Sequence, residues 1–153
     1  MSYVNEVLQP GEVVLCQTRL HWFIYLRPLI LLLVAAGIML AGNATVPDNR
    51  PFFWIVAAVF GVIGLMLLLS AWIRRLSTEL AVTDRRVIHK TGLFSRRTQE
   101  MNREKVESVD VRQSFGGRIF GYGTILVRGV GSSWEPFANI ADPLTFRSNI
   151  TAA

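Results

Sequence analysis

The sequence FFWIVAAVFGVIGLMLLLSAWI, from Phe52 to Ile73, contains 22 residues and no charged side chain. As a helix with a rise of ~1.5 Å per residue it would be roughly 33 Å long, enough to cross a hydrocarbon core of about 30 Å. None of its faces is polar, and a chain of 153 residues is too short to surround such a helix with protein. The stretch therefore predicts a membrane span over residues 52–73.

A second apolar stretch, WFIYLRPLILLLVAAGIMLA, covers residues 22–41 and has Arg27 as its single charge. An arginine this close to the start of a span can extend its guanidinium to the headgroups, and a proline there is tolerated. Trp, Tyr and Phe residues at the ends of both stretches are typical of the membrane–water interfaces. Because only the turn-forming residues 42–51 separate the two stretches, they predict an antiparallel helical hairpin.

Basic residues lie mostly on one side of this hairpin, at Arg19, Arg27, Arg74 and Arg75, whereas the connecting loop has only Arg50. The positive-inside rule therefore predicts that both termini are cytoplasmic. The net charge of +5 arises after the hairpin, where 13 basic residues oppose 8 acidic ones from position 74 onward. The only cysteine is Cys16, so no intramolecular disulfide can form.

The residues after the hairpin alternate as short strands do. Alternation and turn residues predict six strands and a final helix. The strands cover residues 78–83, 86–91, 96–101, 105–112, 124–130 and 134–137, and the helix covers residues 142–150. We expect Leu144 and Ile150 to face the sheet, with Phe146 or Arg147 beside them. The predicted domains are a cytoplasmic segment at 1–20, the hairpin at 21–75 and a cytoplasmic domain at 76–153.

Five segments of this last domain resemble the bacterial pleckstrin-homology-like (PH) domain family in its membrane-anchored, membrane-flanked form. They are Leu80–Ile88, Gly92–Arg97, Val106–Val111, Gly117–Thr124 and Ile140–Pro143, in this order. The resemblance implies a small module without known chemistry, at the cytoplasmic (inner) membrane of a bacterium. The expected fold is an α+β membrane protein, with a two-helix transmembrane hairpin before a PH-like β-barrel or sandwich of six to seven strands with a C-terminal helix.

A seventh strand is available in front of the hairpin. Glu12–Arg19 is rich in Val and Thr and would emerge on the same side of the membrane as the later strands. We hypothesise that it pairs with an edge of the sheet, which would also cover that edge.

The sequence offers little for catalysis. Two histidines, His21 and His89, and one cysteine are too scattered for a metal site, and no nucleophile–base pair is evident. We therefore predict that the chain is not an enzyme and has no catalytic residue, metal or cofactor. The glycine-rich stretch 116–123 lacks the Lys-Ser/Thr pair of a phosphate loop, and we expect Ile119 and Phe120 to plug an open end of the barrel there. His89 is expected to have a structural or pH-responsive role at the surface, and Glu100, Glu104, Glu107 and Asp110 to form a solvated, ion-paired face.

Two sets of residues are candidates for binding. The first consists of arginine pairs that could contact anionic headgroups: Arg74, Arg75, Arg85, Arg86, Arg96 and Arg97. The second could contact another protein: Gly117, Arg118, Phe120, Tyr122 and Trp134. Nucleic acid is not expected as a partner, because the aromatic residues are not interleaved with the basic ones.

These observations leave three classes of function. We expect a membrane-anchored, non-enzymatic module that binds or scaffolds a protein partner, a second copy of the chain included. The alternative is a module that binds anionic lipid through its arginine pairs. A transporter or membrane enzyme would require several chains, because the spans hold so little charge. Small residues such as Gly61 and Gly64 fit either packing within the hairpin or self-association.

Overall fold

The computed structural model describes residues 7–44, 47–92, 97–130, 132–133 and 136–151. The chain divides into a helical unit, residues 22–73, and a sheet unit, which combines residues 1–21 with residues 74–153. The sheet unit is thus assembled from chain segments on both sides of the helical one.

The helical unit contains two long helices. A 3-10 turn at Trp22–Tyr25 leads into α1, Leu26–Asn43, and a second one at Pro47–Asn49 leads into α2, Arg50–Ser77. The two helical segments have mean hydropathies of 2.3 and 2.7 and are long and apolar enough to cross a membrane. Only 11% of the most apolar window of each is buried, which is unlike the core helix of a soluble protein. Both predicted spans are helical, although α2 continues four residues beyond Ile73.

Gly64 of α2 packs closely against α1. A Cβ at Gly64 would lie 2.8 Å from Leu32 Cδ2, whereas a Cβ at Gly61 would meet no atom within 4 Å. The sequence allowed Gly61 and Gly64 to serve either packing within the hairpin or self-association. The structure shows that Gly64 packs within the hairpin.

The first sheet has four antiparallel strands in the order β1-β2-β3-β4. They are β1, Val14–Arg19; β2, Glu79–Thr83; β3, Arg86–Thr91; and β4, Arg97–Asn102. β1 runs from Val14 opposite Thr83 to Arg19 opposite Glu79. A strand that precedes α1 therefore pairs with a strand that follows α2. This confirms the hypothesis that Glu12–Arg19 supplies a strand to an edge of the sheet.

The second sheet is built around β6. Its strands are β5, Val106–Arg112; β6, Tyr122–Gly129; β7, Ser132–Ser133; and β8, Phe137–Ala141. β6 pairs with all three of the others, and a bulge interrupts its pairing with β5 between Val106 and Ser108. A short helix, α3, covers Phe115–Phe120, and α4 covers Pro143–Thr151. The described residues thus form eight strands, one more than predicted, because β7 was not anticipated.

The core lies between the two sheets and α4. Leu80, Val87, Ile125 and Val127 are fully buried there, and Phe146 of α4 packs among them. Ile150 is buried as expected, but the prediction for Leu144 was wrong, since its side chain is 55% exposed. Phe146, rather than Arg147, therefore accompanies Ile150 on the buried face of α4.

β1 joins the two sheets along one side of the unit. Its Thr18 hydroxyl donates to the Ala141 carbonyl at 2.8 Å, and the backbone N–H of His21 donates to the Asn139 carbonyl at 2.7 Å. Leu20 also bridges to Ile140 of β8. The opposite side, where β4 and β5 end the two sheets, has no such joining strand among the described residues.

Candidate functional site

A groove of about 1000 Å³ opens on the side of the sheet unit where β4 and β5 lie. We call it the edge groove. It is lined by Gln9, by the β2–β3 turn and its flank, by the end of β4 and the segment after it, by the first residues of β5, and by the end of α4. Those residues are Asp84, Arg85, Arg86, Glu100, Asn102, Arg103, Glu104, Val106, Glu107, Ser108, Val109, Ile150 and Thr151.

Both strands that line the edge groove are sheet edges. Among the residues that the structure describes, β4 pairs only with β3, and β5 pairs only with β6. The unpaired side of an edge strand presents backbone N–H and C=O groups that can accept another strand. The bulge at the start of β5 falls at Glu107, so it lies in the wall of the groove.

A buried ion pair fixes one wall of the groove. Arg86 donates from Nε and Nη2 to the Glu12 carboxylate at 2.9 and 2.8 Å, and from Nη1 to Glu100 at 2.6 Å. The Glu12 side chain is completely buried, and it also accepts from the Thr83 hydroxyl at 2.7 Å and from the Gln9 N–H at 2.8 Å. The hydrogen bond from Arg86 lowers the pKa of Glu12 from 4.5 to about 2. This network ties the segment before β1 to the β2–β3 turn.

Arg103 projects its guanidinium from the short turn between β4 and β5. Its backbone N–H donates to the Arg85 carbonyl at 2.9 Å, and its Nε donates to the Ile150 carbonyl at 3.0 Å. Its Nη2 is buried and has no hydrogen-bond partner within the described part of the chain. A buried donor that lacks a partner is costly, so a rearrangement that brought an oxygen acceptor to this atom would be favourable.

The remaining charges of the groove are mixed in sign. Arg85 is half-exposed and lies 3.8 Å from Asp84, while Glu104 and Glu107 are exposed. Since Arg86 is already neutralised by Glu12 and Glu100, the groove is not a strongly cationic pocket. Such a surface suits a polypeptide with charges of both signs better than a polyanion.

The predicted arginine pairs lie at both ends of the first sheet: Arg97, opposite Thr91, is at the end where β2 begins, whereas Arg85 and Arg86 are at the other end. Arg74 and Arg75 are exposed in the last turn of α2, which precedes the start of β2, whereas Arg85 follows its end. A five-residue strand separates these two positions by about 13 Å. Arg97 is exposed at the start of β4, and Arg96 lies outside the described residues. The side chain of Arg86 is only 12% exposed and pairs with Glu12 and Glu100.

The glycine-rich candidates lie around α3. Gly117 is buried, Arg118 is exposed and Tyr122 is partly buried at the start of β6, while Trp134 lies outside the described residues. The expectation that Ile119 and Phe120 plug the barrel was wrong, because these side chains are 63% and 49% exposed. Both residues belong to the short helix α3, which directs their side chains towards the outside of the sheet unit.

The two histidines and the cysteine lie apart from the groove. His21 stacks on Tyr122 with ring centroids 5.6 Å apart, and burial lowers its pKa. His89 is buried against Phe137, so the expectation of a surface role for it was wrong. Burial also raises the pKa of the Cys16 thiol. The described residues contain no group of three or more His, Cys, Asp or Glu that could hold a metal ion.

Sequence reasoning missed the contributions of Arg103 and Glu12. Arg103 stands in an ordinary charged run, Arg103-Glu104-Lys105, that reads as a solvated face. Part of that reading holds, since Glu100 pairs with Arg86 and Asp110 with Arg128. The neighbouring sequence does not distinguish a solvated arginine from one whose guanidinium donates to the last carbonyls of a helix, as that of Arg103 does to Ile150.

Comparison with known proteins agrees with this architecture. No curated protein and no solved structure matches the chain. A family model described as Bacterial PH domain matches residues 23–153, which include both long helices and every strand except β1. Because this match covers most of the sequence, the resemblance noted from the five segments is confirmed, and the chain belongs to the bacterial PH domain family.

Proposed function

We propose that this protein is a membrane-anchored, non-enzymatic module that binds a protein partner by accepting a strand of that partner in the edge groove. The proposed location is the cytoplasmic (inner) membrane of a bacterium, with both spans inserted and both termini in the cytoplasm. The observation that carries the binding proposal is that one open groove is lined by an unpaired edge from each of the two sheets.

The anchor is supported by the two long helices. They are apolar over enough length to span a bilayer, and their most apolar windows are almost entirely unburied. Arg74 and Arg75 follow the second apolar stretch directly and are exposed, as the positive-inside rule requires at a cytoplasmic end.

The binding mode is supported by the chemistry of the groove. Strand addition supplies backbone hydrogen bonds at an open edge, and side-chain contacts then provide specificity. A carbonyl or carboxylate of the incoming segment would complete the hydrogen bonding of Arg103 Nη2. The exposed Glu104 and Glu107 would favour a segment that also carries a basic residue.

Lipid binding through the arginine pairs is the second candidate function. Fewer of these arginines are available for it than the sequence suggested. Arg74 and Arg75 support it, because they are exposed next to the apolar stretch. β2 begins next to α2, and Arg85 and Arg86 follow its other end. Arg86 is also paired with Glu12. Contacts with headgroups therefore complement the anchor rather than define a separate lipid site.

The proposed strand addition is testable by photo-crosslinking in native membranes. A photo-reactive amino acid is placed at Glu107, in the wall of the groove, and at Thr145, which is exposed on α4 outside it. We expect a discrete crosslinked product from Glu107, none from Thr145, and at least a severalfold weaker product when Arg103→Gln is added.

Two differently tagged copies of the chain, expressed together, identify self-association if both tags appear in the product. Absence of a product at Glu107, or equal products at both positions, would refute binding in the groove. Retention of the product at full strength in the Arg103→Gln variant would remove the role assigned to Arg103.

A further inference from the structure

We propose that the exposed apolar face of α3, formed by Phe115, Ile119 and Phe120, inserts into the interfacial layer of the membrane that the apolar helices of the same chain enter. The inference rests on the proposed membrane anchoring, but not on the partner in the edge groove. It assigns the sheet unit a second, non-covalent attachment to the bilayer.

The composition of α3 is that of a membrane-contacting turn. Phe115 is 81% exposed and Ile119 is 63% exposed, and they are four residues apart, so they share one side of the helix. Phe120 adjoins them, Arg118 is exposed, and the helix contains no acidic residue. Exposed aromatic and aliphatic side chains next to a basic one are typical of surfaces that lie in the headgroup region.

The local structure holds this face outward. The Ser114 hydroxyl accepts from the Gly117 N–H at 3.1 Å, and Gly121 ends the helix with φ of +74°. A Cβ at Gly117 would lie 2.5 Å from the Tyr122 carbonyl oxygen, so the helix is seated directly on the start of β6. The Gln113 amide, which donates to the same carbonyl at 3.2 Å, adds a further connection. The apolar side chains are therefore presented by a defined turn with little freedom to fold back.

The position of α3 within the sheet unit identifies the bilayer as the occupant. Tyr122, two residues after α3, stacks on His21, whose backbone N–H donates to Asn139. Trp22, the first residue of the apolar segment, follows His21 through one peptide bond. Consecutive Cα atoms are about 3.8 Å apart, so the chain leaves the sheet unit and enters the apolar segment directly after the residue that Tyr122 contacts.

An acidic group close to the end of α3 is Asp142, whose N–H donates to the Gly121 carbonyl. Its side chain is exposed, so it can stay hydrated at the outer limit of the headgroups while α3 lies deeper. The far end of β6 provides a contrast: Val130 is also apolar and 67% exposed, but it follows Gly129, which lies about 23 Å along the strand from Tyr122.

Depth-dependent fluorescence quenching tests the inference in the full-length chain. In a Cys16→Ser background, single cysteines replace Ile119, Val130 or Leu33, and each is labelled with the fluorophore NBD. The proteins are reconstituted in nanodiscs with and without nitroxide-labelled phosphatidylcholine. Because an interfacial helix buries its apolar face about 5–10 Å deep, we expect quenching at Ile119 to be at least about twofold greater than at Val130.

Leu33, which is 72% exposed in the middle of α1, reports on the anchor itself. Strong quenching at Leu33 with equal, weak quenching at Ile119 and Val130 would overturn the inference and leave the anchor standing. Absence of quenching at Leu33 would overturn both. Phe115→Cys is a second site on the same face, and it must give the same result as Ile119→Cys.

Discussion

The substitution Glu12→Gln tests whether the buried ion pair holds the segment before β1 in place. The carboxylate of Glu12 accepts two hydrogen bonds from Arg86, one from Thr83 and one from the Gln9 N–H. A glutamine keeps the shape of the side chain but carries no charge and replaces one acceptor oxygen with a donor. We therefore expect Arg86, which retains Glu100, to lose its buried counter-charge.

The size of the effect follows from the pKa of Glu12, which the protein lowers from 4.5 to about 2. Each pKa unit corresponds to about 1.4 kcal/mol, so the charged carboxylate contributes about 3 kcal/mol to stability at neutral pH. Removal of one partner of a buried pair usually costs about 3–5 kcal/mol, which agrees. At a typical slope of about 1–3 kcal/mol per M urea, the midpoint should fall by about 1–3 M.

Pulse proteolysis of the full-length protein in mild detergent, across a urea series, measures this midpoint. Glu100→Gln is the matched control, because Glu100 pairs with the same arginine but is 35% exposed; we expect its effect to be below about 1 kcal/mol. If Glu12→Gln lowers the midpoint no more than Glu100→Gln does, the role assigned to the buried pair is wrong.

The same pair predicts a pH dependence of defined sign. Because the folded pKa of Glu12 lies below the unfolded one, its contribution is complete above about pH 4.5–5 and is lost as the pH falls towards about 2. The stability difference between the wild-type protein and Glu12→Gln should therefore shrink over this range. A difference that stays constant down to pH 2 would contradict the assignment.

Three further predictions concern packing. Deletion of residues 1–18 removes most of β1 and should lower the urea midpoint of the sheet unit; an unchanged midpoint would show that β1 is dispensable. Gly117→Ala places a Cβ 2.5 Å from a backbone oxygen and should destabilise the sheet unit by about 1–3 kcal/mol, whereas Gly116→Ala should be tolerated, since its Cβ would meet only a side-chain oxygen at 3.5 Å. Gly64→Ala should lower the thermal stability of the helical unit in detergent, measured by circular dichroism, whereas Gly61→Ala should not, and equal shifts would contradict the packing described.

The helical unit could be predicted because its signal is local. A long apolar run without charge has few structural options, and its residues read the same in any context. The end of α2 was less predictable: nothing from Arg74 to Ser77 favours a break, so the helix passes beyond the last apolar residue. Composition gives the apolar length, whereas the helix end depends on where β2 must begin.

The sheet unit was predictable in order but not in all its contacts. Five segments identified the family, and β2 to β6 lie close to their predicted positions, whereas β8 shares only Phe137 with the strand predicted at residues 134–137. Pairing of β1 with β2 joins residues 60 to 69 positions apart, and no local pattern specifies such a partner. The Val and Thr content of residues 12–19 indicates a strand there, but its pairing with the sheet follows only from the number of strands and the predicted topology.

The candidate site shows where sequence reasoning stops. Arg85 and Arg86 are adjacent and chemically identical, yet one is half-exposed and the other is enclosed by Glu12, which is 74 positions away. Phe120 and Ile119 were expected to plug an open end of the barrel, but Gly117 lies directly on Tyr122 and both apolar side chains are exposed. In both cases a contact that the local sequence pattern does not reveal decides which side chains are exposed.

The pairing of β1 with β2 has a consequence for biogenesis. If both helices span the membrane as proposed, a nascent chain that inserted only one of them would leave these strands on opposite faces of the bilayer, where they could not meet. The first sheet would then lack a strand, β2 would expose its edge, and Glu12 would be separated from Arg86. Completion of the sheet would thus act as a checkpoint on topology, in which only a correctly threaded chain escapes the proteases that remove unfolded domains.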